Sequence, residues 1–112
     1  MRKINRLLRN DDFTKVLNKG HKVKDASFLV ACLPNDVGHL RVGISVSKKV
    51  GGAVTRVRVR RQVRAMINLL DVLSQKDDLV ILPRREFLDK TFQENLQALT
   101  KALKSLLDRS GK

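Results

Sequence analysis

The chain has 112 residues with 24 Lys+Arg against 11 Asp+Glu, a formal net charge of +13, and this length predicts one domain spanning 1–112. With 42% apolar residues but four Phe and neither Tyr nor Trp, it can close an aliphatic core too small to enclose a large cofactor. No run approaches the roughly 18 apolar residues of a membrane span, and the basic start Met1–Leu8 lacks a secretion signal's apolar stretch, so a cytoplasmic protein with no membrane partner is expected.

Asn10, Asp11 and Asp12 offer a cap and a dipole-compatible first turn. Phe13, Val16 and Leu17 follow at i, i+3 and i+4, and Gly20 stops the pattern, predicting a short helix. A brief strand is expected at His21–Asp25. Ser27–Leu33 is an apolar run of strand length; it holds the single cysteine, Cys32, read as a buried structural thiol. Turn chemistry over Pro34-Asn35-Asp36-Val37-Gly38 leads to Leu40–Ser47, where Val42, Ile44 and Val46 alternate with Arg41, Gly43, Ser45 and Ser47, the period of a half-buried strand. These two strands are expected to form a hairpin.

After Gly51-Gly52 a second helix is predicted from about Val54 to Leu70, because Val59, Val63, Met66, Ile67 and Leu70 recur at three- and four-residue steps. The Gly pair reads as a flexible strand-to-helix turn, with backbone approach to a phosphate as the alternative. Asp77-Asp78, taken as capping or turn residues, precede the uninterrupted apolar strand Leu79–Leu82, which Pro83 ends. Thr91-Phe92-Gln93-Glu94 has capping-box spacing and opens a third helix carrying Phe92, Leu96, Leu99, Leu103, Leu106 and Leu107 on one stripe. The order helix-strand-strand-strand-helix-strand-helix argues for an α+β fold, a two-layer α/β sandwich. Its β-α-β unit would be right-handed by default.

The charge is uneven. Sixteen of the 24 basic residues but four of the 11 acidic ones precede Ala65, and no acid lies between Val37 and Leu70. Lys48, Lys49, Arg56, Arg58, Arg60, Arg61 and Arg64 place seven positive charges in 17 positions. Clustered like charges repel unless an anion neutralises them, and Arg offers a planar fork suited to phosphate oxygens. A polyanion is the expected partner. No zinc pattern accompanies the two histidines, His21 and His39, which fall in predicted turns. Neighbouring acids such as Asp11-Asp12 do not share a face, so no convergent nuclease site is visible.

Read in full, the stretch Arg41-Val-Gly-Ile-Ser-Val-Ser-Lys48-Lys49-Val-Gly51-Gly52-Ala-Val-Thr-Arg56-Val57-Arg58-Val-Arg60-Arg61-Gln-Val-Arg64 resembles the signature of the protein subunit of bacterial ribonuclease P. In that family R-V-G-[IL]-S-V-S-K-K leads through G-N-A-V into a helix of the form R-N-R-x-[KR]-R-x-x-R. The resemblance extends to Asn5-Arg6-Leu7 and Asp12-Phe13. Gly52 and Val57 depart from it, each standing where the family has Asn; every cationic position is filled.

The resemblance implies an RNA-binding subunit of the endonuclease that trims 5′ leaders from precursor transfer RNA. The chemistry belongs to the catalytic RNA with Mg²⁺, no catalytic residue lies in the protein, and no obligate protein partner is implied. It implies a ribosomal-protein-S5-domain-2-like fold whose β-α-β crossover is left-handed, against the default. Arg56, Arg58, Arg60, Arg61 and Arg64 would contact the catalytic RNA, with Lys48 and Lys49 flanking. The leader would lie in a cleft between the first helix and the sheet, touching Phe13 and, by register, Leu17, Phe28, Val30 and Lys49. The spacing of Phe13 fits core packing with Val16 and Leu17 equally well. Two other classes stay open on the residues alone: a stand-alone ribosomal-protein-like RNA-binding module, and a self-sufficient nuclease, which the missing site disfavours.

Overall fold

The structure is a computed structural model that describes residues 10–70 and 76–110, with side chains described to residue 106 of the last helix. Asn5-Arg6-Leu7 and the side chain of Leu107 lie outside the described residues. The elements are α1 (Asn10–Lys19), β1 (His21–Lys24), β2 (Phe28–Pro34), β3 (Arg41–Ile44), α2 (Ala53–Leu69), β4 (Asp77–Pro83), a 3-10 turn (Arg85–Asp89) and α3 (Phe92–Ser110). Of the two readings of His21, strand start and turn, the structure bears out the strand, which ends at Lys24. Among the described residues no helix is long and apolar enough to cross a membrane.

The four strands form one sheet in the order β1-β2-β4-β3, antiparallel except for the parallel pair β3 and β4. The expected hairpin between β2 and β3 does not form; β4 lies between them, and the hairpin is β1 with β2. The reason is burial. Asp-Asp-Leu-Val-Ile-Leu-Pro has no polar alternation after its acids, and its residues are buried on both faces save Leu82, which suits an inner strand. The shorter, alternating β3 takes the edge. The turn before β3 is built as its composition predicts. Asn35 accepts from the Val37 N–H and donates to the His39 carbonyl, while Gly38 adopts a φ of 84°.

Alternation then divides the sheet. Phe28, Val30 and Cys32 of β2, Val42 of β3, and Leu79 and Ile81 of β4 pack against Val59, Val63, Met66 and Ile67 of α2 and Leu99, Leu103 and Leu106 of α3. This sheet and helix pair is the two-layer sandwich. Each fully buried aliphatic or aromatic side chain there contributes about 1.5–3 kcal/mol. On the opposite face α1 buries Val16 against Ala31 and Val80, with Phe13, Leu17, Leu33 and Leu82 half-buried around them. The capping box at α3 is formed as expected. The Thr91 hydroxyl accepts from the Glu94 N–H and the Glu94 carboxylate accepts from the Thr91 N–H, which holds Glu94 below the usual carboxylate range.

Candidate nucleic-acid interface

α2 begins at Gly52 without a side-chain cap and with no acidic residue in its first turn. Its positive pole and its arginines therefore meet no compensating charge on the helix itself. Val59, Val63, Met66 and Ile67 fix its inner face, and the arginines take two of the remaining directions. Arg56, Arg60 and Arg64, at four-residue steps, form a half-buried row on one flank, whereas Arg58 and Arg61 stand exposed on the crest beside Val54 and Val57. Among the described residues Arg56, Arg58, Arg60 and Arg61 form no ion pair, the described pairs being Arg41 with Asp12 and Asp78 and Arg84 with Glu86. The Nε of Arg56 is buried with no protein acceptor. Lys48 and Lys49 are exposed in the turn before the helix.

The flank row leads to a cleft. A recess of about 370 Å³ lies between α1 and the sheet, lined by Asn10, Phe13, Thr14 and Leu17 of α1, by Ile44, Ser45 and Val46, by Leu82 of β4, and by Arg60 of α2. Leu82 also borders a second hollow of about 610 Å³, where Lys24, Leu29, Ser47, Lys49, Arg84 and Arg85 supply the walls together with Val50, Pro83 and Glu86. The two hollows meet at Leu82, and each combines apolar lining with basic side chains, Arg60 in the first and Lys24, Lys49, Arg84 and Arg85 in the second. Arg84 is held in place there: its Nη1 donates to the Asp25 carbonyl at 2.7 Å, and its backbone N–H to the Ser27 carbonyl at 2.7 Å.

Of the expected leader-binding residues, Phe13 and Leu17 line the first recess and Lys49 lines the second. Phe28 and Val30 line neither. Both are 0% exposed on the opposite face, where the Phe28 ring meets Phe87 edge-on with centroids 5.5 Å apart. A register one residue off exchanges every side chain of a strand between faces, and it is Leu29, opposite Leu82, that reaches the groove. Sequence reasoning also missed Lys24, Leu82, Arg84 and Arg85. For Lys24 a signal existed, since the alternation of His21-Lys22-Val23-Lys24 places both lysines on one face, and Lys24 pairs with Leu29.

Asp77 and Asp78 are strand residues rather than turn residues, both at most 5% exposed. Asp78 accepts from Arg41 through both oxygens, Nε to Oδ1 at 2.8 Å and Nη2 to Oδ2 at 2.7 Å, and from the Asn35 amide at 2.8 Å. The first arginine of the basic stretch is therefore neutralised within the protein, and the hydrogen bonds to Asp78 raise its pKa further. Burial, aided by the neighbouring Asp78, pushes the Asp77 carboxyl above its usual range.

Comparison with known proteins follows the same outline. A family model described as Ribonuclease P matches residues 1–107. The ribonuclease P protein component of Streptococcus thermophilus is 39% identical over 106 residues, covering 93% of this chain and 94% of that protein; that of Bacillus mycoides is 38% identical over 113 residues, covering 99% and 95%. Among solved structures, the Staphylococcus aureus RNase P protein superposes with a TM-score of 0.83 at 31% identity, covering 92% of this chain and 97% of that one. The Thermotoga maritima protein gives 0.74 at 28%, covering 93% and 96%. Such superposition requires a common hand for the β3-α2-β4 unit, so the crossover is the family's left-handed one and the right-handed default gives way.

Proposed function

The chain belongs to the ribonuclease P protein family, and from that premise we propose how its surfaces divide the work. It is a protein subunit of ribonuclease P, the endoribonuclease of transfer RNA 5′ processing. In our reading α2, with Arg56, Arg58, Arg60, Arg61 and Arg64 and the flanking Lys48 and Lys49, lies on the catalytic RNA. The 5′ leader of precursor transfer RNA runs extended through the groove beneath α1. The complex works in the cytoplasm and needs no further protein.

The observation that carries this reading is that Arg60 and Phe13 line one cleft. A cationic helix and an apolar floor then form a continuous surface, able to take phosphates on one side and base faces on the other. Contacts of that kind hold a strand while reading little of its sequence, which suits a subunit that must accept many leaders. Affinity from neutralised phosphates is strong at low salt and falls steeply as salt rises, because counterions are released on binding.

The chemistry is assigned to the RNA and its Mg²⁺. Among the described residues no three His, Cys, Asp or Glu side chains converge as a metal site. The protein's part is to bind, align and screen charge. Adding the purified protein to a bacterial ribonuclease P RNA with precursor transfer RNA tests this: restored cleavage at low Mg²⁺ is expected. Binding without restoration would make the chain a stand-alone RNA-binding module, and cleavage by the protein alone would make it a nuclease in its own right.

A further inference from the structure

α1 meets β3 at two adjacent points. Asp12 Oδ2 lies 3.9 Å from Arg41 Nη1, each side chain 24% exposed. One residue along the helix and two along the strand, the Phe13 ring lies over Gly43, where a Cβ would collide with the ring tip. Arg41 cannot follow α1 if the helix shifts, because both oxygens of Asp78 hold its fork and the Asn35 amide holds Asp78. The apolar contacts of α1 are few: only Val16 of the helix is buried.

From this we infer that the pair of contacts, Asp12 on the anchored Arg41 and Phe13 on Gly43, is a seat that sets the height of the Phe13 ring over the groove floor, making Asp12, Arg41 and Gly43 positioning residues for leader recognition. The seat rests on the reading of the groove as the leader site. It gives a reason for an arginine inside a basic stretch to be spent on two carboxylates. A guanidinium held in a fixed fork is a rigid strut, which a lysine in its place would not be. It also explains glycine at 43: with φ outside the left-handed region, what the position requires is room for the ring, not conformational freedom.

The test uses the protein assembled on a bacterial ribonuclease P RNA and compares its affinity for precursor over mature transfer RNA. Asp12→Asn removes the charge from the seat without touching the Arg41–Asp78 pair, and Gly43→Ala lifts the ring without touching any charge. Each should lower the precursor preference by about twofold to fivefold, the reach of one partly exposed ion pair or one displaced contact. Affinity for the catalytic RNA should hold. Amide exchange should quicken in α1 alone for Asp12→Asn, and Asp12→Glu should recover most of the preference. If Phe13→Ala lowers the preference while Asp12→Asn and Gly43→Ala both keep it, the seat is overturned and the leader reading stands. If Phe13→Ala also keeps it, the leader reading fails and takes the seat with it.

Discussion

The two faces of the sheet are built from the same strands yet hold to different standards. The face under α2 and α3 is sealed: among the described residues eighteen buried ones form one cluster reaching from Phe28 to Leu106. Among the described residues the face under α1 has three, Val16, Ala31 and Val80, and around them half-buried Phe13, Leu17 and Leu82 line a recess. One face supplies the stability that lets the other stay incomplete. A chain this small buries a limited share of its surface, and among the described residues the less covered side is the one bordered by Arg60, Lys24, Lys49, Arg84 and Arg85.

The sharpest way to break this comparison is to truncate one phenylalanine on each face. Phe28→Ala empties a site with no exposure and removes the partner of Phe87, so it should cost about 3–5 kcal/mol in urea or thermal unfolding, a large part of a marginal fold's stability. An unfolding free energy close to that of the parent protein would show the α2/α3 face to be no tighter than the other. Changing Arg60, Arg61 and Arg64 together to Ala should act in the opposite manner. Folding is retained, RNA affinity falls, and the slope of log affinity on log salt flattens by about 2 to 3. Unchanged affinity would remove α2 from the interface. Phe13→Ala belongs between these: loss of one stacked base should lower precursor over mature binding by about 1–3 kcal/mol. Lost thermal stability with intact preference would return Phe13 to the core.

How far the sequence could be read depended on the distance over which residues act. α1, the spans of α2 and α3 and the Thr91–Glu94 capping box follow from local spacing, and the structure has them where periodicity places them. The basic character of α2 was equally plain. Strand pairing was not local: nothing between Phe28 and Ser47 announces that β4, some 40 residues further along, will separate β2 from β3. Nor does the alternation of an apolar run such as Phe28-Leu29-Val30-Ala31 say which parity faces which layer, because all of its residues are apolar, and so Phe28 and Val30 were expected in the groove that Leu29 lines. Arg41 read as one more cation of the basic stretch. Its partner Asp78 is 37 residues away, and only the parallel pairing of β3 with β4 brings them side by side.

That pairing also splits Asp77 from Asp78, and the split is the finest test of the two faces. By alternation Asp78 points with Val80 and Leu82 to the α1 side, where Arg41 and Asn35 satisfy it. Asp77 points with Leu79 and Ile81 to the sealed side and is 4% exposed. Its folded pKa is raised by burial first and by Asp78 second. A carboxyl raised in the folded state binds its proton more tightly there than in the unfolded chain, so it favours folding at low pH and loses that contribution as pH rises through the folded value. At neutral pH the charged form therefore weighs against the fold. Asp77→Asn should unfold at a higher temperature than the parent protein at pH 7. The gain should shrink on acidification and vanish below the ordinary value of 3.8, where Asp77 is protonated in both states. A gain that persists unchanged at pH 3 would mean that desolvation of the charge is not its source, and a loss at pH 7 would mean that Asp77, like its neighbour, answers to a cation.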